Sequence, residues 1–223
     1  MLNTLAEEIL ISIKVEDTGS SSYELAPAGQ HTAVCYGVYD LGQQQKKKYG
    51  TEEFELKRIV RFVWELVGEE GLMSDGKPFV VSREYNGTLH PKSLLRKHIE
   101  AWRGSPYKSE EELNGFTLEK LIGRACLLTV VHTTGERVYA NVENVTQLPK
   151  AMRSLVPKKL HNNYCEFGFT PFDINVFESL PDFLKEKIKK SPEYKEEMDK
   201  LSNGRPVKDS QGNVETEEDE IPF

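Results

Sequence analysis

Residues 31–42, "HTAVCYGVYDLG", decide the fold. Side chains alternate along the stretch, with Ala33, Cys35, Gly37 and Tyr39 on one face and Val34, Tyr36, Val38 and Asp40 on the other. β-Branched and aromatic residues at a period of two predict a strand, and Gly42 is expected to close it. "FELKRIVRFVWELV" (54–67) and "PFVVSREY" (78–85) read as two more strands. Between them Asp75-Gly76 predicts a tight hairpin turn, because such turns require positive φ. The polar stretch "QQQKKKYGTEE" (43–53) reads as a flexible connection.

The period then changes. In "HPKSLLRKHIEAWRG" (90–104) Leu94, Leu95, His98, Ile99 and Trp102 share one side of a helical wheel, with Lys92, Arg96 and Arg103 beside them and Gly104 as the stop. "SEEELNGFTLEKLIG" (109–123) suggests a short acidic helix and a turn. "RACLLTVVHTTGERVYANVENVTQL" (124–148) reads as two strands around Thr133–Glu136. After a crossing rich in Pro, Lys and Asn come "YCEFGFTPFDI" (164–174) and a single solvated helix over 181–200. The expected fold is mainly β with helical insertions: an OB-fold-like antiparallel barrel, then a C-terminal helix and a disordered acidic tail. The corresponding division is a lead-in (1–30), a core (31–172), a helical segment (173–201) and a tail (202–223).

Composition bounds the function. No apolar run reaches the roughly 18 residues of a membrane span, and Glu7 and Glu8 interrupt the N-terminal apolar stretch, which lacks the basic start of a signal peptide. Cys35, Cys126 and Cys165 are odd in number and far apart, as suits a reducing cytoplasm rather than a disulfide framework. The net charge of −7 argues at first against a nucleic-acid partner. Its distribution reverses that reading, because residues 31–160 hold 20 Lys and Arg against 16 acids and the acidic excess lies on either side.

Catalytic motifs are not found. Gly71 through Gly76-Lys77 fits half of a phosphate-binding loop, but Pro78 stands where a magnesium-holding Ser or Thr is needed. Neither C-x-x-C nor H-E-x-x-H occurs, so no metal and no cofactor is expected, and His98 reads as a packed core residue. Glu65, Glu84 and Asp173 could serve a magnesium-dependent nuclease only if the fold brought them together.

Bases and aromatics, by contrast, interleave. Tyr36 and Tyr39 precede Lys46, Lys47, Lys48 and Tyr49; Arg58 and Arg61 follow; then come Arg83 and Tyr85. Lys92, Arg96, Lys97 and Arg103 lie on or near the helix, Tyr107 just beyond it, and Arg137 and Tyr139 stand two apart. Single-strand binders need this pair of chemistries, cations for phosphates and rings for bases.

The chain closes on "ETEEDEIPF". Acids capped by Ile-Pro-Phe resemble the C-terminal tip of bacterial single-stranded DNA-binding proteins. Glu217, Glu218, Asp219 and Glu220 correspond to the acidic run, and Ile221, Pro222 and Phe223 match the tip residue for residue. The resemblance implies that the tip docks into replication and recombination proteins, the Phe223 ring entering an apolar pocket and its carboxylate meeting a base. Residues 30–172, through "PFVVSREYNGTLHPKSLLRKHIEAWRG", "LIGRACLLTVVH" and "VYANVENVTQLPKAM", look like phage-encoded replication-module proteins thought to bind single-stranded DNA. Outside its tail the chain departs from the bacterial proteins, which puts their tetramer in doubt and leaves homodimer and monomer open. The resulting expectation is a non-catalytic single-stranded DNA-binding protein in the cytoplasm of a bacterial host. Its rivals are a tail mimic that occupies host pockets without binding DNA, and a single-strand nuclease.

Overall fold

Strand β1 (Gly29–Lys47) is the axis of the structure, 19 residues that partner three other strands. The computed structural model describes residues 24–135 and 137–203, so most of the lead-in and the whole of Glu217–Phe223 lie outside the described residues. The first part of β1 pairs antiparallel with β4 (Ala125–His132), from Gly29 opposite Val130 to Val34 opposite Ala125. Most of its length pairs antiparallel with β2 (Phe54–Leu66), from Ala33 opposite Leu66 to Lys47 opposite Phe54. β2 carries β3 (Val80–Asn86) and β4 carries β5 (Ala140–Gln147), giving the order β3-β2-β1-β4-β5. A short β6 (Cys165–Phe167) runs parallel to β1 at Gly37–Tyr39. The architecture is a mainly antiparallel sheet of six strands with several helices.

Helix α1 (Leu94–Arg103) follows β3 and packs on β5 and β3. Ser93 caps it by accepting from Arg96 N at 3.2 Å, and Gly104 ends it. Leu95, His98, Ile99 and Trp102 are buried as the wheel predicts, whereas Leu94 is 43% exposed. It stands at the margin of the stripe that Leu95, Ile99 and Trp102 centre. No ladder of hydrogen bonds joins β3 to β5 among the described residues. Their edges nevertheless approach, since Arg83 Nη1 donates to the Val142 carbonyl. α2 (Glu110–Asn114) is the short acidic helix expected, capped by Ser109.

Three expectations are corrected. Strict alternation across 31–42 breaks between Cys35 and Gly37, where the register with β2 slips by one residue. A bulge of this kind reverses which side chains face which way beyond it. Ala33, Cys35 and Val38 therefore enter one core, while Tyr39 and Leu41 enter the other. Second, Gly42 does not close the strand. It sits at φ +68 in a second register shift, and β1 continues through Gln43–Lys47, held by pairing with Phe54–Arg58. Backbone pairing wins there over the low strand propensity of Gln and Lys.

Third, the solvated helix of 181–200 is two helices, α4 (Asp182–Ile188) and α5 (Pro192–Asn203), preceded by α3 (Ile174–Ser179). Pro192 has no N–H to continue α4 and disfavours helix at Ser191 before it. Nor is the segment solvated, because Leu184 and Ile188 are buried. With Phe167, Phe169, Phe177 and Leu180 they form a second core on Tyr39, Leu41, Ile59 and Val63 of the sheet. The first core lies on the opposite face, where Phe62, Trp64, Tyr85, Leu128 and Val145 meet α1. Both faces of the central strands are thus covered. No helix of the described residues is long and apolar enough to cross a membrane.

Candidate nucleic-acid interface

The fold sorts the cations and aromatics of the sequence into two groups. One group is engaged in packing. Tyr39 is buried and Tyr36 half-buried under the C-terminal segment, and burial pushes the Tyr36 hydroxyl up to about 12. Arg61 bonds Ser82 Oγ at 2.6 Å and Glu84 at 3.2 Å, and stacks over Phe183 at 5.1 Å. Arg83 spans to Val142, and Tyr85 lies 2.9 Å from His98 Nδ1, both groups buried. Arg96 pairs with Glu100 at 2.9 Å and Arg103 with Glu112, and the two guanidiniums flank the buried Tyr107 ring at 5.7 and 4.3 Å. Guanidinium on ring and phenol against a partner are the ways such side chains satisfy themselves inside a protein.

The other group is open, and most of it lies on one element. Beyond residue 42 the β1–β2 hairpin projects as a two-stranded arm ending in the Lys48–Glu53 turn, where Lys48 N donates to Glu53 O at 2.8 Å. Cross-strand partners share a face, so Gln43, Gln45 and Lys47 lie with Arg58, Leu56 and Phe54. All six are exposed. Tyr49 at the tip is 100% exposed, Phe54 67% and Leu56 51%. Exposed apolar groups gathered this way mark an interaction surface rather than scattered surface residues. Phe54 has no cation beside it in sequence, and the signal that places it and Leu56 on one face with Lys47 is the cross-strand register.

Lys47 meets Glu52 at 2.7 Å and Lys48 meets Glu53 at 3.7 Å, both pairs exposed. Pairs of that kind contribute about 0–1 kcal/mol, so a phosphate can displace the carboxylate. Arg58 pairs with Asp40 and stays half-exposed. Lys46 lies on the arm's other face, with Lys57. At its base the strip runs into a groove of about 320 Å³ lined by Asp40, Arg58, Leu89, Phe116, Phe167 and Thr170, among others. Lys92, Lys97, Arg137 and Tyr139 are exposed elsewhere.

The three acids that could have formed a metal cluster have separate tasks. Glu65, buried on β2, accepts from His161 N, Asn162 N and Asn162 Nδ2 at 3.0, 2.8 and 2.7 Å. Glu84 holds Lys187 and Arg61, and Asp173 caps α3. Among the described residues no group of three or more His, Cys, Asp and Glu could hold a metal ion. No protein-family model and no curated protein matches the chain.

Proposed function

We propose that the protein binds single-stranded DNA without sequence preference, along the β1–β2 arm. The observation that carries this reading is the exposed arm, with Phe54 and Leu56 among Lys47 and Arg58 on one face and Lys48 and Tyr49 at its tip. Rings of this kind stack on any base, and cations track any phosphate. An OB-like barrel is the architecture that fits. It is supported by the order β3-β2-β1-β4-β5, by α1 between β3 and β4, and by the Arg83–Val142 bond that draws the free edges together. Because the C-terminal segment covers the outer face of β1 and β2, the strand takes the arm and the groove at its base instead.

The biological setting is phage DNA replication or recombination in the bacterial cytoplasm, with Glu217–Phe223 recruiting partner proteins by the resemblance noted above. The test is an anisotropy titration of labelled oligo-dT of about 30 nucleotides, with the salt dependence of affinity measured alongside. Tight, salt-sensitive binding that weakens in Tyr49→Ala and Phe54→Ala is the expected result. Equal affinity for both variants and the parent protein overturns the arm as the interface. Removing Ile221–Phe223 is expected to abolish partner capture and leave DNA affinity intact or slightly raised.

A further inference from the structure

A second recess, of about 590 Å³, opens between α1, the segment before β4 and the segment after β5. Among the described residues its charged lining is entirely cationic, Arg103, Lys120, Arg124 and Arg153, over an apolar floor that includes Trp102 and Phe116. The sequence behind it is as one-sided, for residues 144–165 carry Lys150, Arg153, Lys158 and Lys159 and no acid.

The lining is held in place. Trp102 Nε1 donates to Ala125 O at 2.9 Å and Gln147 Nε2 to Arg103 O at 3.1 Å. Lys120 Nζ donates to Gly115 O at 2.7 Å, which fixes the ammonium and leaves its charge unneutralised. Glu112 offsets Arg103, but Lys120, Arg124 and Arg153 have no acidic partner among the described residues. Like charges that line one recess repel one another, so the recess favours a compact polyanion. A phosphodiester brings one negative charge, whereas a terminal phosphate monoester brings about 1.5 to 2 and three acceptor oxygens. Arginine forks suit those oxygens, and the volume is that of a small-molecule site. Phe116 lines both this recess and the groove at the base of the arm, so the two are adjacent.

We infer that the recess binds the terminal phosphate of a nucleotide, with the attached sugar and base over Phe116, and so seats the end of a strand that lies on the arm. This rests on the DNA-binding reading for the strand, though the phosphate site itself is independent of it.

The test uses the full-length protein and oligo-dT of about 12 nucleotides bearing a 5′-phosphate, a 3′-phosphate or hydroxyls only, with free thymidine monophosphate as competitor. One phosphorylated end is expected to bind roughly tenfold tighter than the hydroxyl oligonucleotide. That preference disappears in Arg153→Gln and in Arg124→Gln, both exposed positions, and persists in Phe54→Ala. Competition by the free nucleotide that removes only the end preference supports the site further. Equal affinity for all three oligonucleotides overturns the inference and leaves the DNA reading standing. An equal loss for all three in Arg153→Gln also overturns it, because the recess is then only backbone track. Binding of the free nucleotide with no oligonucleotide bound keeps the site and overturns the DNA reading. If neither binds, both fall.

Discussion

Lys187 of α4 places its ammonium 2.6 Å from Glu84 Oε2 on β3, and Arg61 of β2 reaches the same carboxylate at 3.2 Å. This three-residue cluster fastens the C-terminal segment to the sheet beside the Phe183 ring that Arg61 stacks on. Burial works against the charged form of Glu84, but Lys187, Arg61 and Lys46 outweigh it and hold the carboxyl below its ordinary range.

Glu84→Gln strands two cations and is expected to lower stability by about 1–3 kcal/mol, less than a fully buried pair because water reaches the site. Since the folded pKa is depressed, the contribution is present above the unfolded value and lost as pH falls through the folded one. Denaturant melts at neutral pH should show the deficit, and melts well below the ordinary carboxylate range should not.

Gly42 tests the contact between the same segment and β1. At φ +68 any side chain is strained, and a Cβ there would lie 2.5 Å from Ser191 Cβ and 2.8 Å from Glu193 Oε2. Glu193 meanwhile accepts from Gln43 N at 2.9 Å. Gly42→Ala should cost about 2 kcal/mol or more, from backbone strain plus overpacking. A melting temperature equal to that of the parent protein would show that β1 passes elsewhere.

The five longer strands and α1 were legible because local pattern carried them: the strand-like run of 54–67, the wheel of 94–103, the Asp75-Gly76 turn. The two cores were not. Whether Tyr39 faces one core or the other turns on a single extra residue at Cys35–Gly37, and nothing in the alternation of 31–42 signals it. The Lys- and Glu-studded 181–200 stretch looked solvated since only Leu184 and Ile188 of α4 are buried, too few to dominate a wheel. The site shows the same limit. Sequence placed Lys47, Lys48 and Tyr49 together by adjacency, but Phe54 and Leu56 join them only through the strand register, and Lys120, Arg124 and Arg153 only through the fold.

His98 supplies a pH dependence. Burial, reinforced by the Arg83 charge, lowers its pKa from 6.5 to about 4. The unfolded chain therefore takes up a proton that the folded chain refuses between those values, so the contribution of His98 is complete above pH 6.5 and is lost as pH falls towards 4. His98→Gln keeps a partner for the Tyr85 hydroxyl and cannot titrate. It is expected to flatten the stability profile over that window by about 1–3 kcal/mol relative to the parent protein. A profile of unchanged slope would mean that His98 is charged in the folded state.

The two groups of aromatics give opposite expectations, which separates DNA contact from packing. Tyr39 lies in the second core beside Leu41, Phe167 and Phe177. Removing its ring leaves a cavity under the C-terminal segment, so Tyr39→Ala should cost about 3–5 kcal/mol in folding free energy. Tyr49 touches no core and Phe54 is two-thirds exposed. Tyr49→Ala and Phe54→Ala should change stability by about 0.5 kcal/mol or less. Each should still weaken oligo-dT binding by about 1–3 kcal/mol, the worth of one stacked base. Lys47→Ala and Lys48→Ala should instead lower the salt slope of binding by about 0.7 each, because each removes one phosphate contact to a single strand. Melts and titrations on the same preparations read both quantities. If Tyr39→Ala lost DNA affinity while keeping its stability, the strand would lie on the covered face, and the C-terminal segment would have to move for it.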